Sequence, residues 1–488
     1  MEKEWICIVC GYVHQGDEPP GMCPVCGVGP EEFEEFQKPA GRPEGEKVIW
    51  RCSVCDYSCS GKAPPGQCPT CDANVDYFKP AEESTSGEKG IGHHIVIVGN
   101  GIAGFKAAEA ARQQSDTSRI SLLSREANAP YYRLNLTRFL AGELPAEELG
   151  LKPDKWYEEK RIVLIDGEVK EIRRDSRTLH LEDGRDISYD RLILTCGAQA
   201  FRPPIPGQQL GNVFCLRTLR DAQELIKSCQ SAKYAVVIGG GLLGLEGAAA
   251  LQKQGLKTTV LEGFDYLLPR QFVAPASQLL EAALKKKGLT IRCGVKIVEI
   301  TGRGHCEGVK ISDQETIPAD LVLLSTGIRP ETHLARKCGL EVNKGLLVSD
   351  KMATNDPAIF AAGDMIEFQD RLYGIWPAAY AQGMVAGINA VGGEVVYNPL
   401  PQSTRLKVTG LDLFSLGQFN PPDGSFAVFQ KRDGDNFYWL VSRDGYLTGA
   451  NLFGDTSLAS TLSEGMEKNL PIHKIDRIIE KFPELKSR

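Results

Sequence analysis

HHIVIVGNGIAGFKAAEAA, residues 93 to 111, is the stretch that decides how this 488-residue chain folds. Ile95 to Val98 is a run of four β-branched residues, which suits a strand covered on both faces. Gly99-x-Gly101-x-x-Gly104 follows and opens an Ala-rich segment of helical character. The three glycines have separate jobs. Gly99 permits the tight turn, Gly101 lets backbone come close to a pyrophosphate at the helix N-terminus, and Gly104 lets helix and strand pack closely. The next apolar strand, RISLLS, ends before Arg125 and Glu126, and Glu126 lies where a carboxylate holds ribose hydroxyls.

The same grammar returns at YAVVIGGGLLGLEGAAALQKQGLKTTVLEG, residues 234 to 263, with Gly239, Gly241, Gly244 and then Glu262 at the end of the following strand. One such glycine pattern is weak evidence. Two in strand-turn-helix context, each followed by an acid, predict two bound dinucleotides. Glu262 favours NADH over NADPH, because a carboxylate repels a 2′-phosphate; Arg270, further along, opposes this only slightly.

The N-terminus has a different composition. Nine of the fifteen cysteines precede residue 72. Shifting the sequence by 45 positions lays Trp5 on Trp50, Cys7 on Cys52, Cys10 on Cys55, Cys23 on Cys68, Cys26 on Cys71 and Phe33 on Phe78, so one small module is duplicated in tandem. Each copy reads Cys-x2-Cys, twelve residues, Cys-x2-Cys, which supplies four thiolates for a tetrahedral site that suits iron or zinc. A module of about 35 residues has too small a core to fold alone, so the metal is expected to contribute much of its stability. Cys59 falls on His14, and neither is counted as a ligand.

Length predicts several domains, composition is that of an ordinary globular protein, and there is no apolar run of the roughly 18 residues that cross a bilayer. MEKEWICIVC lacks the features of an export signal, so a cytoplasmic protein is expected. A net charge of -7 without a Lys/Arg stripe argues against nucleic acid as a partner. No Ser/His/Asp pattern or paired acids offer hydrolytic chemistry.

Two resemblances follow from these residues. The pattern W-x-C-x-x-C-x-Y, then P-P-G-x-C-P-x-C and a Phe, resembles the short rubredoxin-like domains fused in rubrerythrins, which implies one redox-active iron in each copy. Residues 93 to about 400 resemble the pyridine nucleotide-disulfide oxidoreductase superfamily, in its NADH:rubredoxin oxidoreductase branch. The marks are APYYRLNLTRFLAGE from Ala129, LILTCG ending at Gly197, LRTLRDA from Leu216, LVLLSTGIRP from Leu321 and IFAAGD ending at Asp364. The resemblance implies FAD and NAD(H) as cofactors. It places Asp364 at the flavin's ribityl-phosphate region, Arg133 and Arg138 beside the isoalloxazine, and Glu246 near the nicotinamide, with Gly197 also at the cofactor. Arg125 stands where many relatives carry an acid.

Relatives that reduce disulfides carry a redox cysteine pair, and peroxidase or oxidase relatives a single active cysteine. Here Cys196, Cys215, Cys229, Cys293, Cys306 and Cys338 are isolated, and PYYRLNLTRF contains no cysteine. A flavin can release electrons singly, and a rubredoxin-type iron accepts one at a time, so the fused modules explain the missing thiols if they hold iron.

The fold class expected is α/β, with two Rossmann-like dinucleotide-binding domains of the FAD/NAD(P)-linked reductase type, two small metal modules and a C-terminal α+β domain. Its boundaries are residues 1–38 and 47–80 for the modules, 81–92 for a polar linker, 93–206 and 329–397 for the FAD domain, 207–328 for the NAD domain and 398–488 for the last domain. The expected function is NADH-dependent transfer of electrons through FAD to two irons and on to an external acceptor protein. By family analogy that acceptor is a rubrerythrin, a flavodiiron protein or a superoxide-reducing protein. The alternatives are a flavin- or nitrite-reductase-like component with structural zinc ribbons, or a redox sensor. Oligomeric state is left open.

Overall fold

The computed structural model describes residues 4–7, 13–22, 29–30, 33–35, 48–52, 58–61, 63–65, 78–80, 92–399, 403–408 and 410–483. The chain divides into two compact units, each discontinuous in sequence. The first comprises Met1–Tyr132, Gly150–Gln199 and Arg329–Leu400; the second comprises Arg133–Leu149, Ala200–Ile328 and Pro401–Arg488.

In the first unit, the duplication is written into backbone register. Strand Glu4–Cys7 lies between Val13–Gln15 and Phe33–Glu35, as Val48–Cys52 lies between Ser58–Gly61 and Phe78–Pro80. Cys7 pairs with Phe33 and Cys52 with Phe78, while Trp5 faces His14 and Trp50 faces Cys59. Phe33 and Phe78 are both buried, and the Trp5 indole N–H donates to the Gly16 carbonyl at 3.1 Å.

The larger part of this unit is a five-stranded parallel sheet in the order Ile359–Ala361, Arg191–Leu194, His94–Val98, Arg119–Ser124, Ile162–Asp166. The apolar run read from the sequence forms its middle strand, with Ile95 to Val98 buried as a strand covered on both faces requires. Helix Ile102–Gln114 packs against helix Trp376–Ala390 across a stripe of small residues. A Cβ added at Gly383 or Gly387 would lie 2.2 Å from the carbonyl oxygen of Ala103 or Ala107, so the two backbones are in direct contact.

The second unit repeats the plan. Its parallel sheet runs Val213–Phe214, Leu321–Leu324, Tyr234–Ile238, Lys257–Leu261, Thr290–Arg292, and helix Leu242–Lys253 follows the middle strand. A five-stranded antiparallel sheet, Ser403–Val408, Leu411–Gly417, Tyr446–Phe453, Asn436–Arg443, Phe426–Asp433, carries helix Ala459–Glu467, in line with the α+β expectation for the C-terminus. No helix among the described residues is long and apolar enough to cross a membrane.

One segment groups differently from the expected boundaries. Residues 133–149, read as part of the first 93–206 block, cluster with the second unit, as do residues 200–206. The reason is packing: Leu136 and Leu140, on the short helix Leu136–Leu140, are buried, and that helix packs on Leu219–Cys229 and Leu242–Lys253. Gln254 Nε2 donates to the Leu140 carbonyl at 2.7 Å.

Candidate functional site

The two glycine turns have nearly the same geometry. Gly99 and Gly239 adopt φ of +109° and +114°, and a Cβ at either would sit 2.3 Å from the Thr195 carbonyl or 2.2 Å from that of Ser325. At Gly104 and Gly244 a Cβ would strike the carbonyl of Gly99 at 1.8 Å or Gly239 at 2.0 Å. Gly101 and Gly241 differ: nothing lies within 4 Å of a Cβ there. The first and third glycines are thus demanded by the protein itself, whereas the second faces open space at a helix start without a side-chain cap. Uncapped N–H groups beside a vacant Cβ position are what an anionic pyrophosphate requires, so the residues present fit two dinucleotides.

Around the first turn, Thr195 Oγ1 lies 3.0 Å from the Val98 carbonyl and 2.8 Å from that of Gly99, bracing the loop from the strand that ends in LILTCG. Gly197 follows at φ +71°, and its carbonyl accepts from Glu331 N–H at 2.9 Å. Asp364 occupies the turn after Ile359–Ala361. Its neighbour Gly363 donates to Gln382 Oε1 at 3.0 Å, and a Cβ on Gly363 would lie 3.0 Å from Ala103 Cβ and 3.8 Å from Ala379 Cβ. Asp364 is therefore brought to the first turns of both packed helices, beside the glycine loop. Tyr132 stacks on Trp376 and Trp376 on Tyr380, at 6.2 and 5.2 Å between ring centroids, at the same helix end.

Glu126 accepts from the Tyr131 hydroxyl at 2.7 Å. Strand register sharpens its position. Val98 pairs with Leu123 as Ile238 pairs with Leu261, so the residue corresponding to Glu262 is Ser124, and Glu126 stands two residues beyond it. In the second unit, Glu262 is buried and both its oxygens are held by backbone, Gly240 N–H at 2.6 Å and Phe264 N–H at 2.9 Å.

Arg133, Arg138 and Glu246 come together in the second unit. The Arg133 guanidinium donates to the Arg217 carbonyl, Arg138 Nε lies 3.6 Å from Glu143, and Thr137 Oγ1 donates to Glu246 at 3.3 Å. Burial pushes the Glu246 carboxyl up to about 7, only partly offset by the Thr137 hydroxyl. A carboxyl that keeps its proton in the folded chain but ionises near its ordinary value of about 4.3 when unfolded lowers stability as pH rises between those values. Unfolding midpoints measured from pH 4 to 8 should accordingly fall toward pH 7 and level off above it, and Glu246→Gln should flatten that slope.

All six cysteines beyond the modules have thiols raised by burial, Cys196 to about 12 and Cys229, Cys293 and Cys306 to about 11. A protonated, desolvated thiol is a poor nucleophile, so none suits a disulfide relay. Of the expected metal ligands, Cys7 and Cys52 end the central strands of the two small sheets. Cys10, Cys23, Cys26, Cys55, Cys68 and Cys71 lie outside the described residues. Among the described residues no other cluster of His, Cys, Asp and Glu could hold a metal.

Thr195 and Gln382 escaped sequence reasoning. Each acts on a loop nearly a hundred or about twenty residues away, and no local pattern marks such a partner.

Residues 93–383 match the family described as pyridine nucleotide-disulphide oxidoreductase. Residues 5–34 and 50–79 match the rubrerythrin, rubredoxin-like domain, and 402–470 the rubredoxin NAD+ reductase C-terminal domain. The chain is 35% identical over 389 residues to a nitrite reductase [NAD(P)H] of Bacillus subtilis, covering 79% of this chain but 48% of that protein, so it spans about half the length of that relative. It is 35% identical over 338 residues to the rubredoxin-NAD(+) reductase of Pseudomonas putida, covering 67% of this chain and 88% of the relative. Among solved structures, NADH:rubredoxin oxidoreductase from Clostridium acetobutylicum superimposes with a TM-score of 0.68 at 28% identity, over 80% of this chain and 100% of the other. The chain belongs to the pyridine nucleotide-disulphide oxidoreductase family, with two rubredoxin-like domains ahead of its reductase body and a rubredoxin NAD+ reductase C-terminal domain behind it.

Proposed function

We propose that this chain oxidises NADH with a bound FAD and delivers the electrons singly to iron in its own two N-terminal modules, and from there to an external acceptor protein. The observation that carries this reading is the pair of glycine turns, each open only at its second glycine, on one chain with a duplicated four-cysteine module. FAD, when bound, supplies the conversion of a two-electron donor into single electrons.

The first turn, through Gly101 and the N–H groups of helix Ile102–Gln114, would hold the FAD pyrophosphate, with Asp364 at the ribityl-phosphate region and Glu126 assigned to the adenosine ribose. The second, through Gly241, would hold NADH. Glu262 orients the Gly240 and Phe264 N–H groups and disfavours a 2′-phosphate. Glu246, its carboxyl raised to about 7 by burial, is assigned to the nicotinamide, and Arg133 and Arg138 are assigned to tuning the flavin with positive charge. The buried, protonated thiols leave the modules as the exit for electrons. Such a chain works in a reducing compartment, the cytoplasm, where the N-terminal thiols stay available for metal.

The likeness to a nitrite reductase supports a second reading, a nitrite-reductase-like component; in that reading the modules would hold zinc and serve only to bind a partner. Metal analysis and anaerobic stopped-flow with NADH separate the two. Iron with thiolate charge-transfer bands should be present and should bleach faster in the intact chain than when modules and a chain truncated before Ile91 are mixed. Colourless zinc with intact NADH oxidation would leave only the second reading.

A further inference from the structure

The loop from Gly263 to Phe272 joins the strand that precedes Glu262 to helix Ala274–Lys286, and it is fixed from two sides. On one side is the second glycine turn: Leu268 N–H donates to the Gly240 carbonyl at 3.2 Å, with Leu268 in a left-handed conformation at φ +51°. Leu267 fills the space where a Cβ on Gly240 would come within 2.6 Å of it, and Ser277 Oγ donates to its carbonyl at 2.7 Å.

The other side is the C-terminal sheet. Asn451, in strand Tyr446–Phe453, is fully buried. Its Oδ1 accepts from Val273 N–H at 2.8 Å, and its Nδ2 donates to the Gln271 carbonyl at 2.9 Å, with Ser415 Oγ at 3.2 Å. Packing alone does not call for such a residue. A leucine would fill a sheet interior at no desolvation cost, whereas a buried primary amide is tolerated when its donors and acceptor are met, and here they are met by the backbone of this loop. The bonds run without a gap from Asn451 to Gln271 and Val273, along the loop to Leu268, to Gly240, and from Gly240 N–H to Glu262.

We propose that Asn451 is a positioning residue for the nucleotide: the C-terminal sheet sets the loop that holds Gly240 and Glu262, and so sets affinity for the adenosine half of NADH. The proposal rests on the NADH reading of the second glycine turn. Leu268 gives it a mechanical basis. A non-glycine residue at positive φ persists only when its surroundings hold it there, and Asn451 acts on the same short loop.

The test is titration of the full-length protein with ADP-ribose, which carries the adenosine half alone, with NADH kinetics in parallel. Asn451→Ala should weaken ADP-ribose about tenfold and raise KM for NADH by a similar factor, with kcat and FAD content unchanged. Tyr438→Phe is the control. It removes a part-buried hydrogen bond of 2.5 Å from that sheet to Asp455, just past strand Tyr446–Phe453, without touching the loop, and should lower the melting temperature while leaving ADP-ribose affinity alone. Should Asn451→Ala fail to fold, Asn451→Asp keeps the acceptor for Val273 and loses the Nδ2 donor to Gln271, Ser415 and Ala450. Unchanged ADP-ribose affinity in the Asn451 variants, or an equal loss in Tyr438→Phe, would overturn the positioning role. If the wild-type chain binds neither ADP-ribose nor NADH, the NADH reading itself falls.

Discussion

Gly104→Ala will yield a chain that purifies without flavin and melts well below the parent, while Gly101→Ala will fold normally and lose only affinity for FAD. The contrast follows from what each added methyl meets. At Gly104 it would lie 1.8 Å from the Gly99 carbonyl and 2.7 Å from Thr195 Oγ1, both part of the braced loop. The helix has little room to shift, because its adjoining face is in contact with helix Trp376–Ala390 at Gly383 and Gly387. Overpacking of this kind costs about 1–3 kcal/mol when neighbours can shift, and more where backbone opposes backbone. At Gly101 the methyl meets no protein atom, so any loss must come from the ligand it displaces. Flavin absorbance and melting temperature, measured together, give the result. Equal stability losses in both variants would show that the open position at Gly101 is not a cofactor cradle.

The second large effect concerns metal. Cys26→Ser should remove one bound metal ion per chain, and should unfold the first module alone, because a module of about 35 residues draws on the order of 10 kcal/mol from its metal. Metal content by mass spectrometry gives the count, and new tryptic cleavage confined to residues before the linker reports the unfolding. Cys71→Ser should do the same to the second copy. NADH oxidation with a small chemical oxidant should survive both, since neither glycine turn is involved. A chain that keeps two metals after either change would remove the four-cysteine reading.

The two dinucleotide folds were legible because their strongest requirements are local: a turn at positive φ, a helix pressed on its own strand and a ligand against bare backbone are all settled within six residues. The duplication was legible for a similar reason, and the paired registers of Cys7 with Phe33 and Cys52 with Phe78 carry it into the backbone. Long-range brackets were not legible. Asn451 reaches a loop some 180 residues away, and its own neighbours in sequence say nothing of it. The grouping of residues 133–149 with the second unit was hidden because Leu136–Leu140 is too short to display a helical period. The correspondence of Ser124 in the first fold with Glu262 in the second needed strand register, since counting along the chain passes over a loop and a helix of differing length.

The crossing of Ile102–Gln114 with Trp376–Ala390 also has an electrostatic side. Ala103 and Ala379 both stand beside Gly363, so two helix N-termini converge on the turn that carries Asp364. Each contributes roughly half a positive charge through aligned peptide dipoles. That potential belongs to the backbone. It does not titrate, cannot be acetylated and needs no lysine, so the hold on an anionic ligand there is set by how closely the two helices approach, through the glycines at 383 and 387.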